Sequence, residues 1–393
     1  MAVFLYAGGF VFPDGNAAAH RVVANARILR KLDHQVIFLG TSDTVSGFDP
    51  AAAPRHWEGF SYYEYPYPDS LARWIGHTTA FAELFHVLKK HPEIEAVVAY
   101  NLPSVALLRL HSYCRRHRIK LINDITEWYV VKTGSLLMRT CKNLDSALRM
   151  RFASFLADGI LVISRYLENH YKDKNTARLP PLVDRAAQKW PDRVPQPEGP
   201  REFTTYGIAN RNKEYLGLLL ESLRSFKESH PFKLNVLGVT EDEMLGVFPE
   251  YRQLFMDLRT NIVFFGRISN ARCIEIINRS HFMIFIRYAN RVTQAGFPTK
   301  FVESISSGTP VITNRTGDLA DYYGRAAFLG ILIGETSRAG VDAALKEAFD
   351  MDEATIRTKK EACLSSGLFH YEEYAGRLRE LLDRAGINTS PPR

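Results

Sequence analysis

The chain has 393 residues, 46% hydrophobic and 24% charged, with a formal net charge of +7 and a pI near 9.1. Such a composition is that of an ordinary globular protein rather than a disordered or membrane-embedded one, and the length predicts two or three domains. The positive balance points to an anionic partner: a nucleoside diphosphate, an anionic lipid surface or nucleic acid.

The N-terminus enters a buried strand, Val3–Tyr6, with no basic segment before it, so no signal peptide is expected. No apolar run approaches the roughly 20 residues that span a bilayer. The expected location is the cytosol, or the cytosolic face of a membrane. The strand ends in Gly8 and Gly9, where backbone can approach a ligand closely or simply turn. A helix follows from about Asn16 to Leu32, with Val22, Val23, Ala26 and Leu29 at helical spacing, then a strand over Val36–Leu39. This β–loop–α–β opening predicts a doubly wound parallel sheet, with ligands at the carboxyl ends of strands. The aromatic stretch 57–68 reads as an edge strand and turn, or as an acceptor-facing loop. Strand Ala96–Tyr100, helix Ser104–His117 and strand Lys120–Asn123 come next, and the last runs into Asp-Ile-Thr-Glu-Trp-Tyr. Asp124, Glu127 and Trp128 thus stand at a strand end, the carboxylates able to meet an acceptor hydroxyl and the Trp a sugar face. The alternative for Asp124 is a helix cap. Residues 132–152 interleave Lys132, Arg139, Lys142, Arg149 and Arg151 with leucines, which reads as a solvated basic face or as a surface for anionic lipid. Strand Gly159–Ile163 closes the first domain, and the proline-rich segment Asp192–Pro200 reads as a linker.

A second domain opens with strand Phe203–Gly207. Arg211 and Lys213 lie in the loop before a helix that starts near Glu214. Strands are expected at Leu234–Leu237 and Ile262–Phe264, the latter followed by Gly266, Arg267 and Ile268. Helix 270–279 leads to a strand over 282–286. Residues 287–296 read as a polar irregular loop, and Pro298 opens a helix that Gly308 ends in a left-handed cap. First-turn amides favour an anion, and Lys300 in that turn makes sense if it too faces a phosphate. Glu303, one turn on, reaches the same place. The terminal helix spans about Tyr371 to Ala385. The four cysteines (114, 141, 273 and 363) have no metal or redox spacing and read as reduced thiols.

The stretch AGFPTKFVESISSGTPVI resembles the donor-binding segment of retaining nucleotide-sugar glycosyltransferases with the GT-B fold, of the group 1 or family 4 type. Those carry a Glu, seven residues and a second Glu in a pattern like EGFGLPLLEAMACGVPVI. Glu303 matches the second Glu, which the resemblance assigns to the ribose hydroxyls. Ala295 replaces the first. The implied fold is α/β, two Rossmann-like doubly wound domains facing a central cleft. The domains would be an acceptor domain over 1–190, a donor domain over 201–368, and residues 369–393 crossing back to the first. Donor-binding residues are then Gly9, Arg211, Lys213, Arg267, Gly296, Phe297, Pro298, Thr299, Lys300 and Glu303. Lys213 falls at the family's Lys position, Ile208 at its Arg position, and Arg211 is the expected substitute. Acceptor-binding residues are Gly8, Gly9, Asp124, Glu127 and Trp128. Catalysis falls to Asp124, Glu127, Lys213 and Lys300.

The expected activity is transfer of a sugar from a nucleoside diphosphate to a glycan or lipid-linked acceptor, with retention, in surface polysaccharide synthesis. The nucleotide sugar is a co-substrate; no cofactor and no metal are expected, because no DxD pair stands at a strand end. A sugar-nucleotide epimerase of the same shape and a non-catalytic sugar-nucleotide-binding protein are the alternatives. Nucleic acid is not expected, since no basic stripe is interleaved with aromatics.

Overall fold

The computed structural model describes residues 1–131, 135–195, 199–207, 211 and 213–388. Lys132, Ile208 and the C-terminal Ser-Pro-Pro-Arg, which enter the sequence analysis, lie outside the described residues. The chain divides into two compact units. Unit 1 comprises Met1–Val183, Ala295–Phe297 and His370–Arg393, and unit 2 comprises Asp184–Gln294 and Pro298–Phe369.

Unit 1 is built on eight strands: β1 (Val3–Val11), β2 (Gln35–Ser42), β3 (Arg55–Trp57), β4 (Phe60–Pro66), β5 (Ile94–Tyr100), β6 (Lys120–Ile125), β7 (Gly159–Val162) and β8 (Thr176–Arg178). They form one sheet in the order β3-β4-β2-β1-β5-β6-β7-β8. Every pairing is parallel except the β3–β4 hairpin at the edge. Successive residues of β1 point to opposite faces. Phe4 and Tyr6 join a core containing Val22, Ala26 and Leu29 of helix Ala17–Lys31 and Leu378, Leu381 and Leu382 of helix Ala375–Arg384. Leu5 and Ala7 join a core on the other face, with Leu84 and Val87 of helix Ala82–Lys90 and Leu107 and Leu110 of helix Ser104–His117. Helices thus cover both faces, as a parallel sheet requires.

Unit 2 has six strands: β9 (Arg201–Tyr206), β10 (Phe232–Leu237), β11 (Ile262–Phe264), β12 (Phe282–Ile284), β13 (Val311–Asn314) and β14 (Gly330–Ile333). Their order is β11-β10-β9-β12-β13-β14, all parallel. Phe203 of β9 packs with Leu219 and Leu223 of helix Leu216–Phe226 and with Val341 and Leu345 of helix Arg338–Asp350.

In both sheets the connection direction reverses at one place, between β1 and β5 in unit 1 and between β9 and β12 in unit 2. Ligands of doubly wound sheets gather outside the carboxyl ends of strands at such switch points. Two local expectations are corrected. Strand β1 does not stop before the glycines but runs through Gly8 and Gly9 to Val11. Residues 287–296 are not irregular throughout, since Arg291–Ala295 form a short helix. Among the described residues, no helix is long and apolar enough to cross a membrane.

Candidate donor and acceptor sites

In unit 2 the candidate donor residues Lys300 and Glu303 lie on a helix that follows β12, one of the two strands at the switch point. Helix Thr299–Ser306 starts after Pro298, which caps it without a side-chain hydrogen bond. Phe301, Val302 and Ile305 are buried beneath it. Its C-terminal turn is closed by Gly308 at φ +80°, and Ser304 Oγ donates to the carbonyl of Thr309 at 2.7 Å. This fixed helix holds Lys300 and Glu303.

Glu303 is buried. Its Oε1 accepts from Asn270 Nδ2 at 3.1 Å, while its Oε2 is buried with no hydrogen-bond partner among the described residues. A buried acceptor left unmet costs about 1–3 kcal/mol, so such an atom calls for a donor from outside the protein. Burial pushes the Glu303 carboxyl up from its ordinary range, against the pull of Asn270, Lys189 and Lys300. The Glu303 charge, together with burial, pushes the phenol of Tyr206 up. Burial and the same charge push the Cys273 thiol up to about 11.

Asn270 is held in turn. Lys189 Nζ donates to its Oδ1 at 2.9 Å. An ammonium group only donates, so the amide must turn its oxygen to Lys189 and its NH2 to Glu303. Sequence reasoning missed Asn270, Lys189 and Tyr206. Asn270 follows the helix cap Ser269 and looks like an ordinary first-turn residue.

Lys300 Nζ is ion-paired with Glu214. It also lies 5.3 Å from the centre of the Phe285 ring. Gly207, at φ +140°, sits against it, and a Cβ there would fall 3.2 Å from Nζ. Glycine therefore serves both the backbone angle and the room for the lysine. Glu214 is placed by an isolated bridge to Arg287 and by the Tyr215 amide, which donates to the carbonyl of Ile286 at 2.8 Å. Lys213 is exposed, its carbonyl accepting from the Tyr288 amide at 3.1 Å. Among the described residues Lys213 has no ion-pair partner.

Two of the expected donor residues meet protein partners. Arg211, the expected substitute for the missing arginine, is one of them. Its guanidinium makes two bonds to Glu250, at 2.6 and 2.7 Å, and one to the carbonyl of Val247 at 2.7 Å. Its planar fork is thereby filled by carboxylate and backbone. Arg267 is exposed and reaches Glu243 at 3.6 Å. Of the remaining donor residues, Pro298 and Thr299 begin the helix, whereas Gly296 and Phe297 belong to unit 1. There Ser164 Oγ donates to the carbonyl of Ala295 at 2.7 Å.

In unit 1 the expected acceptor carboxylates part company. Asp124 is fully buried in β6. Both its oxygens face Arg21, through Nη2 at 2.7 Å and Nε at 2.9 and 3.0 Å. Tyr6 donates to it at 2.5 Å and Asn25 at 3.3 Å. Burial alone would lower the Arg21 pKa, but the Asp124 charge more than reverses this and holds it above the usual value. Burial and the same carboxylate hold the Tyr6 phenol well above its usual value. Asp124 is thus neither an open acceptor contact nor a helix cap; it anchors the first helix to the sheet.

Trp128 is also buried, its ring 4.7 Å from His170 and 6.2 Å from Tyr166, so no free face is offered to a sugar. Gly8 is a mid-strand residue whose added Cβ would lie 2.4 Å from the Tyr100 carbonyl oxygen, so close strand pairing explains it. Gly9 is exposed with open space beside it. Glu127 is half-buried just past β6, its carbonyl held by Arg149 at 3.0 Å.

No curated protein matches the sequence. The family described as Glycosyl transferases group 1 matches residues 187–363. Similar solved structures include a sucrose-phosphate synthase from Thermosynechococcus elongatus, 14% identical with a TM-score of 0.71, covering 98% of this chain and 99% of that one. The lipopolysaccharide outer core galactosyltransferase WaaB is 13% identical with a TM-score of 0.61, covering 95% of this chain and 98% of that one. Anabaena HepE in complex with UDP is 13% identical with a TM-score of 0.60, covering 98% of this chain and 100% of that one. At such identity the likeness carries the fold. Residues 187–363 thus resemble the glycosyl transferases group 1 family, and the two doubly wound units have the GT-B fold.

Proposed function

We propose that the protein transfers a sugar from a nucleoside-diphosphate sugar to a glycan or lipid-linked saccharide, with retention of anomeric configuration. Its role would be surface polysaccharide assembly at the cytosolic face of a membrane. The observation that carries the proposal is Glu303 Oε2, a buried acceptor without a partner among the described residues, on a helix that follows β12 of unit 2. A ribose hydroxyl supplies the missing donor. Lys300 and the exposed Lys213 supply fixed positive charge for the diphosphate, whose charge grows as the C1–O bond to the leaving phosphate breaks. The acceptor oxygen bonds to C1 on the same face, and its proton passes to a phosphate oxygen of the leaving group. This route needs no covalent glycosyl-enzyme. Glu127, with Gly9 nearby in the strand order, is the candidate group for orienting the acceptor.

The test is incubation with a panel of nucleotide sugars, beginning with uridine diphosphate sugars because HepE holds UDP. Slow hydrolysis of one donor is expected, and no binding or turnover of any donor would sink the proposal. Lys213→Met and Lys300→Met should each lower turnover more than tenfold, since each removes a charge-assisted contact of about 1.5–3 kcal/mol. Turnover within a few-fold of wild type for both variants would refute the diphosphate assignment. Activity should persist in EDTA, and a strict metal requirement would overturn the metal-free route. Trapping with a slow donor analogue should leave no sugar on Glu127 by mass spectrometry.

A further inference from the structure

The buried carboxylate of Glu303 stands at the end of a chain of polar groups to which the transfer route gives no task. Glu303 Oε1 accepts from Asn270 Nδ2 at 3.1 Å, and Asn270 Oδ1 accepts from Lys189 Nζ at 2.9 Å. The three residues come from separate parts of unit 2. Glu303 is on helix Thr299–Ser306, Asn270 opens helix Asn270–Arg279, and Lys189 lies on the segment that precedes β9. That segment is tied down on its own account. The Ala187 amide donates to the carbonyl of Asp184 at 3.2 Å, and the Trp190 amide to that of Ala187 at 3.1 Å, so it is folded into successive turns. Arg185 Nη1 donates to the carbonyl of Ser306, at the far end of the Glu303 helix. Trp190 is buried, and Lys189 Nζ lies 5.4 Å from the centre of its ring.

The two orientations of an asparagine amide are chemical opposites. Here only one fits. Turned over, Oδ1 would face Glu303 Oε1, acceptor against acceptor, and the NH2 would face an ammonium, donor against donor. Lys189 and Glu303 therefore select the orientation between them. With Oε1 engaged, the carboxylate is fixed in rotation, and Oε2 is the oxygen left for a ligand. The same groups favour its charged form. Burial pushes the Glu303 carboxyl up, and Asn270, Lys189 and Lys300 hold it back. The other neighbours are neutral or engaged elsewhere. The Glu303 charge and burial raise the Tyr206 phenol of β9, and burial and that charge raise the Cys273 thiol, so both keep their protons at neutral pH. On helix Glu353–Ser365 the buried Lys360 donates to the carbonyls of Asn278 and Ser280 at 2.7 and 2.6 Å.

We infer that Asn270 and Lys189 are positioning residues for the donor: Asn270 grips one oxygen of Glu303 and Lys189 fixes Asn270, so that the other oxygen is held toward the ribose hydroxyls. This role rests on the proposed reading of Glu303 and adds to it the groups that prepare its carboxylate.

The experiment is calorimetric titration of the full-length protein with UDP, GDP and ADP over a range of pH. Asn270→Ala should weaken the nucleotide that the wild type binds by about tenfold, since Glu303 loses the bond that orients it. Lys189→Met acts one bond further away and should weaken it by roughly threefold. Both should move the loss of affinity on acidification to higher pH, because each removes a group that favours the carboxylate form. Lys189→Arg keeps the charge and the donors and should recover most of the loss. In a Glu303→Gln background, where that carboxylate no longer titrates, Lys189→Met should shift nothing along the pH axis. A role in folding alone would lower the thermal midpoint without moving the pH at which affinity falls, and that result overturns the inference. A pH shift that persists in the Glu303→Gln background also overturns it, since another group would then be titrating. If Asn270→Ala does not fold, Lys189→Met at a half-buried position carries the same readout. A wild type that binds none of the three nucleotides overturns the ribose reading of Glu303 and this role with it. Binding by the wild type that neither variant alters overturns this role alone.

Discussion

Glu303→Gln is expected to weaken nucleotide binding by one to two orders of magnitude while raising the thermal midpoint of the ligand-free protein. The two effects have one cause. The carboxylate is buried with Oε2 unmet, and burial raises its pKa above that of an unfolded chain. A carboxyl group with a raised folded-state pKa contributes its stability below the unfolded value and loses it as pH rises through the folded value. At neutral pH the ionised Glu303 is therefore a cost, which Gln removes while still accepting from Asn270. The ribose, however, loses a charged acceptor, and hydrogen bonds to charged groups are worth about 1.5–3 kcal/mol. The midpoint gain should shrink in acid, where Glu303 is protonated and resembles Gln. For the same reason, wild-type nucleotide affinity should begin to fall, as pH is lowered, above the range of an ordinary carboxylate. Calorimetry at several pH values measures both quantities. Unchanged affinity in the variant would falsify the ribose assignment.

Asp124→Ala should lower the thermal midpoint by roughly 10 °C. Removing one partner of a buried ion pair typically costs about 3–5 kcal/mol, because the other charge is left uncompensated. For a unit of this size each kcal/mol moves the midpoint by about 2–4 °C. Arg21 would lose the carboxylate it pairs with, and Tyr6 and Asn25 would lose the acceptor they share. Asp124→Asn keeps the shape and part of the hydrogen bonding and should lose less. Nucleotide affinity, a property of unit 2, should be unchanged well below either midpoint. A variant with normal stability that had lost only sugar transfer would restore Asp124 to a direct part in catalysis.

The sheets were legible because buried parallel strands read as short apolar runs, and helix Ala17–Lys31 because its apolar positions recur at helical spacing. The helix that carries Glu303 and Lys300 was legible because its start and end are marked by Pro298 and Gly308. What escaped depends on partners distant in sequence. Nothing near Asp124 announces that Arg21, 103 positions earlier, will take both its oxygens. Nothing near Arg211 announces Glu250. Asn270 gains its role only because Lys189 and Glu303 meet it from either side. Helix Leu136–Arg151 shows a different limit. Its periodicity reveals an apolar stripe, yet periodicity is blind to which face the rest of the protein will hold. That choice lies with Asn143, Asp145, Ser146 and Arg149, whose partners sit mostly in other elements.

The divided make-up of unit 1 sets an order of events on the ribosome. Leu378, Leu381 and Leu382 complete the core that Phe4 and Tyr6 begin, and Asn175 Nδ2 ties the carbonyl of Leu381 at 2.9 Å. All of unit 2 is translated before these leucines. Domains usually mature from the N-terminus as synthesis proceeds. Here unit 1 cannot be completed in that order, because its last helix is translated after unit 2. The unit translated first waits through all of that synthesis with one face of its sheet covered by helix Ala17–Lys31 but not yet by the terminal helix, and that part of the face is the one most in need of chaperone shelter.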